Sequence, residues 1–134
     1  MWIKLEKKKV VPLVYGLITT FVVVYLMKEI IMRPRPYMVL SIVPVVKNFT
    51  SYSFPSMHAA LAFAFLPTLN RIFKNKVLWS LVVGGVAISR VYLGVHYLSD
   101  VIAGALIGYV ISNQFWKLLN KKSFRPFIFV KNDR

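Results

Sequence analysis

The chain has 134 residues, of which 57% are hydrophobic, and it carries a formal net charge of +14. This length leaves room for a single domain over residues 1–134. Long uncharged apolar runs that alternate with basic segments are typical of a multi-pass membrane protein. They disfavour nucleic-acid binding, which needs basic residues interleaved on a folded surface. Because the chain lacks cysteine, disulfides and thiolate metal sites are excluded.

Four apolar segments are long enough to cross a bilayer core about 30 Å thick, which takes about 20 helical residues. They predict transmembrane helices over approximately residues 10–32, 57–73, 77–95 and 97–117. The first apolar run is long for a signal peptide and no small-residue cleavage site follows it, so we predict a retained helix. The fold class predicted is therefore an all-α, polytopic membrane bundle of about four helices.

Basic residues cluster on one side of this predicted bundle. The N-terminal segment, the loop at 70–76 and the C-terminal tail hold most of the 18 lysines and arginines. The positive-inside rule predicts that both termini and this loop are cytoplasmic, with the chain in the cell (inner) membrane. Ionisable residues at membrane depth are costly and are usually functional. Chemistry is therefore expected at the outer face, where the remaining five cations fall: Lys28, Arg33, Arg35, Lys47 and Arg90.

Three short clusters converge on the outer face in this topology, with the sequences KEIIMRPRP, FPSMH and SRVYLGVHYLSD. They supply three cations, a hydroxyl and the backbone N–H groups of a predicted helix N-terminus. Such groups together bind phosphate-like anions. The phosphate-binding candidates are Lys28, Arg35, Ser56, Met57 and Arg90.

Two histidines and one aspartate in these clusters are candidates for catalysis. His96 and Asp100 are four residues apart, so on a helix the carboxylate lies one turn from the imidazole. An aspartate that accepts the Nδ1–H leaves Nε2 free as a nucleophile or base. His58, from another helix, is a candidate proton donor to the leaving alkoxide. The pattern predicts phosphoryl transfer to histidine followed by hydrolysis. A metal site is disfavoured, since the ligands are few and three cations would repel the ion.

The pattern Lys-x6-Arg-Pro, then Pro-Ser-x-His, then Ser-Arg-x5-His-x3-Asp resembles the type 2 phosphatidic acid phosphatase (PAP2) superfamily over residues 28–100. The resemblance implies a metal-independent phosphatase domain without a cofactor. In it His96 would be the nucleophile, Asp100 would orient it, and His58 would protonate the leaving group; the phosphate-binding candidates would hold the phosphate oxygens. Met57 stands where the family usually has glycine. Membrane members usually have six transmembrane helices, so four indicate a minimal form.

The expected substrate is a lipid phosphate or diphosphate whose headgroup reaches the outer interface while its tail stays in the bilayer. Four lipids fit: undecaprenyl diphosphate, phosphatidylglycerol phosphate, phosphatidic acid and lipid A phosphate. Two alternatives stay open. One is a lipid phosphotransferase that uses the same site with an acceptor other than water. The other is a non-catalytic anion-binding membrane protein, which would have no reason to keep both histidines beside the aspartate.

Two further expectations concern residues outside the three motifs. Arg33 and Lys47 are predicted to be solvated loop charges or to contact lipid headgroups. Close packing between helices of the same monomer is predicted at the glycines: Gly84, Gly85, Gly104 and Gly108.

Overall fold

The computed structural model describes residues 2–40, 51–73 and 75–120, and all regular structure in these ranges is helical. The elements are α1 (Trp2–Ile31), α2 (Pro36–Val39), α3 (Met57–Ile72), α4 (Lys76–Tyr92) and α5 (Leu98–Asn120). The predicted all-α fold is confirmed. The expectation for Lys47 lies outside the described residues.

α1 ends one turn before Arg35, and α4 ends one turn before His96. At each end a residue with positive φ interrupts the helix. Met32, directly after α1, has a left-handed φ of 50°, and its N–H donates to the Lys28 carbonyl at 3.0 Å. Pro34 then disfavours helix at the residue before it. After α4, Gly94 has a φ of 70°, which glycine adopts at little cost. α4 therefore ends at Tyr92, earlier than the predicted span 77–95.

The start of α3 is fixed by an N-cap. The Ser56 hydroxyl accepts a hydrogen bond from the Ala59 N–H at 3.5 Å, and the Ser56 N–H donates to the Asp100 carbonyl at 2.9 Å. A side-chain oxygen at this position satisfies one of the unpaired N–H groups of the first turn. The cap thereby joins the beginning of α3 to the first turn of α5.

α3 and α5 make the most extensive helix contact in the described part of the chain. A Cβ on Gly104 would collide with the backbone of Ser56, and one on Gly108 would collide with the backbone of Ala60. Close packing is therefore confirmed for these two glycines. It is wrong for the pair in α4, Gly84 and Gly85, where a Cβ would meet no atom of the described residues within 4 Å.

Two helical stretches are long and apolar enough to cross a membrane, Lys9–Val39 and Leu98–Asn120. α3 and α4 have 16 and 17 residues, which at 1.5 Å per residue gives about 25 Å, slightly less than a bilayer core. Large apolar side chains of α1, α4 and α5 face outward, at 58–69% exposure: Ile18, Leu81, Ile88 and Leu106. Such an exterior suits lipid better than water. Four crossings stay a prediction.

Candidate active site

A small cavity of about 70 Å³ lies at the end of the bundle where α1 ends and α3 begins. Its wall is formed by parts of three helices and three connecting segments of the chain: α1, α3 and α4, the segment before α2, the 51–56 loop and the loop before α5. Among the described residues, those that line the cavity include three cations and two histidines and no acidic side chain: Lys28, Arg35, Ser51, Met57, His58, Arg90, Val95 and His96. Six of the eight predicted site residues therefore meet here, from three distant parts of the sequence.

Lys28 is buried at the end of α1, with 4% exposure. Its Nζ donates to the Tyr52 carbonyl at 2.6 Å and to the Ser53 carbonyl at 3.4 Å. Carbonyl oxygens satisfy the N–H donors of an ammonium but do not neutralise its charge. Lys28 thus holds the 51–53 segment in place and brings a positive charge to the cavity.

Arg35 is equally buried, at 2% exposure, just before α2. Its Nε and one terminal nitrogen donate to the carbonyl and the hydroxyl of Ser51 at 2.8 and 3.0 Å. The other terminal nitrogen donates to the Val95 carbonyl at 3.0 Å. Lys28 and Arg35 both line the cavity, so two buried positive charges lie beside it. Their summed field makes the cavity favourable for an anion.

The other predicted residues occupy helix ends around the same cavity. Arg90 lies in the last turn of α4, where its Nε donates to the Ser89 hydroxyl at 3.1 Å. Met57 and His58 form the first turn of α3, with His58 exposed at the cavity mouth. Ser56 is buried and its hydroxyl accepts from a helix N–H as the N-cap, so a contact between it and phosphate stays a prediction.

His96 is placed by the turn at Gly94 and is buried, at 4% exposure. Its Nε2 lies 3.5 Å from a terminal nitrogen of Arg35, on the cavity side. Its Nδ1 lies 3.4 Å from the Ser53 hydroxyl and 3.5 Å from the Asp100 carboxylate. Burial lowers the pKa of His96 below its ordinary value, and the nearby Arg35 and Lys28 charges lower it further, against the opposing bond to Asp100. These effects favour the neutral form of the imidazole, which is the form that a nucleophile requires.

Asp100 lies behind His96, with no exposed surface, in the first turn of α5. Its Oδ2 accepts hydrogen bonds from the Ser53 hydroxyl at 2.5 Å and from the Tyr97 N–H at 2.9 Å. Its Oδ1 accepts from Arg33 at 2.6 Å. The predicted neighbourhood of Asp100 and His96 is present, but the shorter bonds of this carboxylate go to other donors.

Arg33 takes part in this network, so the expectation of a solvated loop charge or a lipid contact is wrong. It pairs with Asp100, donates to the Ser99 hydroxyl at 2.8 Å, and its guanidinium carbon lies 4.0 Å from the centre of the Tyr97 ring. The contact joins residues 67 positions apart in the chain, so no local spacing in the sequence signals this role.

Ser53 is the second residue that the sequence reasoning missed. It is fully buried, and its N–H donates to the Arg33 carbonyl at 2.8 Å. A serine in a loop rich in serine carries no distinguishing pattern, so only the folded structure identifies its contact with the catalytic candidates.

A helical bundle that gathers buried cations and two histidines around one small cavity is an architecture suited to binding phosphate groups. The sequence profile of the PAP2 superfamily matches residues 9–124. The chain belongs to the PAP2 superfamily, and the resemblance inferred from the three motifs is confirmed.

Two solved structures are similar to the chain. LpxE of Aquifex aeolicus has a TM-score of 0.74 at 31% identity, over 83% of this chain and 68% of that one. A transmembrane PAP2-type phosphatidylglycerolphosphate phosphatase from Bacillus subtilis has a TM-score of 0.63 at 30% identity, over 84% of this chain and 59% of that one. The predicted PAP2-like helical core is therefore confirmed.

Among curated proteins, undecaprenyl-diphosphatase BcrC of Bacillus subtilis (strain 168) is 29% identical over 114 residues. This match covers 83% of the chain and 57% of the relative. The chain thus spans about half the length of this curated relative.

Proposed function

We propose that residues 1–134 form a single phosphatase domain that removes phosphate from a membrane lipid phosphate or diphosphate, without a metal ion. The observation that carries this proposal is the cavity lined by three cations and two histidines, with a buried carboxylate behind one histidine. Cations alone would suit any anion-binding protein. Anion binding alone does not require the buried imidazole of His96 at the cavity. Its presence beside Asp100 favours covalent attack on the bound phosphate.

In the first step the phosphate group lies in the cavity with its oxygens against Lys28, Arg35 and Arg90. These charges neutralise the phosphate and stabilise the additional charge of the transition state. His96 Nε2 attacks phosphorus, a phosphorus–nitrogen bond forms, and the bond to the lipid oxygen breaks. His58 gives its proton to the departing oxygen, and the lipid leaves.

In the second step water attacks the phosphohistidine. His58, now neutral, accepts a proton from the water, the phosphorus–nitrogen bond breaks, and inorganic phosphate is released. His96 and His58 return to their starting protonation states. The cations perform the charge neutralisation that a metal performs in other phosphatases. Among the described residues no group of three or more His, Cys, Asp or Glu could hold a metal ion.

A lipid substrate is supported by an apolar groove between α1 and α3. It has a volume of about 430 Å³, and the described residues that line it are all apolar: Leu17, Ile18, Phe21, Leu61 and Phe65. Leu61 lies one turn and Phe65 two turns along α3 from His58, so the groove lies within one to two helical turns of the cavity residue His58. The relatives named for undecaprenyl diphosphate and phosphatidylglycerolphosphate support such substrates. We favour the isoprenoid diphosphate, with phosphatidylglycerol phosphate, phosphatidic acid and lipid A phosphate as the other candidates.

We place the cavity at the outer face of the cell membrane, with both termini in the cytoplasm. The excess of lysine and arginine in the N-terminal segment, the 70–76 loop and the tail supports this orientation. Single cysteines test it, since the chain has none of its own. A membrane-impermeant maleimide should label Ser51→Cys in intact cells and Asn75→Cys only after lysis. The reverse pattern contradicts the orientation.

The activity is tested by phosphate release from the detergent-purified protein, with EDTA present and no added acceptor. The panel holds the four candidate lipids and a water-soluble phosphate ester. We expect release from at least one lipid, reduced at least about 10³-fold in His96→Ala and about 10²- to 10⁴-fold in His58→Ala. Asn113→Ala, at the far end of α5, serves as the control and should be fully active.

Three other outcomes separate the alternatives. Strict dependence on added Mg²⁺ contradicts the metal-free mechanism. Phosphate that leaves the lipid only when an acceptor alcohol is present indicates a phosphotransferase. Binding of lipid phosphate without any turnover indicates an anion-binding protein and overturns the proposal.

A further inference from the structure

We propose that Ser53 is a positioning residue for His96: its hydroxyl connects the imidazole to Asp100 and thereby fixes which ring nitrogen carries the proton. This inference rests on the proposed function, since it concerns the orientation of the nucleophile. It differs from the expectation that Asp100 accepts the Nδ1–H directly.

The Ser53 hydroxyl contacts both the carboxylate and the imidazole. It lies 2.5 Å from Asp100 Oδ2 and 3.4 Å from His96 Nδ1, whereas His96 Nδ1 lies 3.5 Å from Asp100 Oδ2. Good hydrogen bonds between nitrogen and oxygen span about 2.7–3.2 Å, so both contacts of Nδ1 are long and the short bond is the one between serine and aspartate. Asp100 Oδ2 also accepts from the Tyr97 N–H at 2.9 Å, so this oxygen already accepts two bonds shorter than its contact with His96.

The hydrogen-bonding capacity of serine sets the direction of the chain. A carboxylate accepts only, so the single hydroxyl proton of Ser53 points to Asp100. The lone pairs of the same oxygen then remain to accept, and His96 Nδ1 lies 3.4 Å away. The arrangement favours the tautomer with the proton on Nδ1, which leaves the lone pair of Nε2 directed at the cavity. Ser53 keeps its own proton throughout.

Burial makes this arrangement selective. Ser53 and Asp100 have no exposed surface and His96 has 4%, so bulk water does not compete for these groups. The backbone of Ser53 is also held, by its N–H to the Arg33 carbonyl at 2.8 Å and by Lys28 Nζ to its carbonyl at 3.4 Å. Because the backbone of Ser53 is held and its hydroxyl donates to Asp100, the hydroxyl oxygen has one orientation. Its contact with Nδ1 then orients the His96 ring.

Kinetics of Ser53→Ala provide the first test. We expect kcat to fall about 10- to 100-fold, the range for a lost hydrogen bond to a charged group, while KM changes less than about threefold. Ser53→Thr keeps the hydroxyl and should recover most of the rate. The matched control is Ser112→Ala, which removes another buried serine hydroxyl, one without a hydrogen-bond partner among the described residues.

A double-mutant cycle separates positioning from a merely structural role. If Ser53 acts on His96 together with Asp100, Ser53→Ala should reduce kcat by only about twofold or less in an Asp100→Asn background. Independent losses that multiply would contradict the inference. A wild-type enzyme with full activity and a Ser53→Ala variant within twofold of it would overturn the inference while leaving the proposed function intact. Absence of any activity in the wild type would overturn the proposed function instead.

A spectroscopic measurement tests the inference on the wild-type protein, even if Ser53→Ala fails to fold. The chain has only two histidines, so ¹⁵N-histidine labelling gives two pairs of imidazole signals, one Nδ1 and one Nε2 signal for each ring. The His58→Asn variant assigns them. We expect His96 at neutral pH to carry its proton on Nδ1. In a folded Ser53→Ala variant we expect a mixture of tautomers. A proton on Nε2 in the wild type contradicts the inference.

Discussion

Two arginines lie over aromatic rings at opposite ends of α5, and they differ in what else they contact. Arg33 lies over Tyr97 at 4.0 Å and pairs with the buried carboxylate of Asp100. Arg71 lies over Trp116 at 5.1 Å and donates to two neutral groups, the Pro67 carbonyl at 2.7 Å and the Asn113 side chain at 2.8 Å. The same cation–aromatic pairing therefore serves a buried ionic network at one end of the bundle and a solvated helix end at the other.

The loss of Arg33 and the loss of Arg71 should therefore have different energetic costs. Removing one partner of a buried ion pair leaves an uncompensated charge, which is strongly unfavourable. Removing an exposed hydrogen bond replaces it with water at little cost. Arg33 therefore acts on the site by holding the Asp100 carboxylate in place. Arg71 stabilises only the contact between the end of α3 and α5.

The largest effect expected from this comparison is on catalysis. Arg33→Ala should lower kcat about 10- to 100-fold, since a hydrogen bond to a charged group contributes about 1.5–3 kcal/mol and Asp100 would lose one. Arg71→Ala should change kcat by about twofold or less, as surface substitutions do. Both variants are measured for phosphate release from the best lipid of the panel. Equal losses in the two variants would show that the ion pair with Asp100 has no special role.

A smaller effect is expected on stability, and it compares the α3–α5 contact with the free face of α4. Gly108→Ala should destabilise the bundle by about 1–3 kcal/mol, because its Cβ would collide with the Ala60 backbone. Gly84→Ala should stabilise it by about 0.5–1 kcal/mol, because alanine favours helix and space is open there. Thermal unfolding in detergent measures both. A Gly108→Ala protein as stable as the wild type would contradict the close contact.

Much of the bundle could be predicted from the sequence, because apolar runs and helix-ending residues act locally. The bounds of α3, α4 and α5 lie within three residues of the predicted spans, whereas α1 begins at Trp2, eight residues before the predicted start at 10. α4 stops at Tyr92, before the predicted 95. Gly94 signalled this end, but the apolar Val95 after it extended the predicted span. The motif spacings likewise identified most of the cavity wall, since each residue type there has a recognisable chemical role.

The roles of Arg33 and Ser53 could not be predicted in the same way. Their contacts with Asp100 join residues that are 67 and 47 positions apart in the chain. Such pairings depend on how the segment before α2 and the 51–56 loop fold over α5, which no local spacing encodes. Ser56 shows the converse. Its motif indicates phosphate binding, whereas its hydroxyl accepts from the Ala59 N–H as a helix cap.

The central claim is that His96 becomes phosphorylated during turnover, and trapping that intermediate tests it most directly. The purified protein is mixed with a lipid substrate carrying ³²P in its terminal phosphate, quenched in alkali, and analysed by peptide mapping. We predict base-stable, acid-labile label on the peptide that contains His96, and none in His96→Ala. Turnover without label on His96, or label that persists in His96→Ala, would contradict the account.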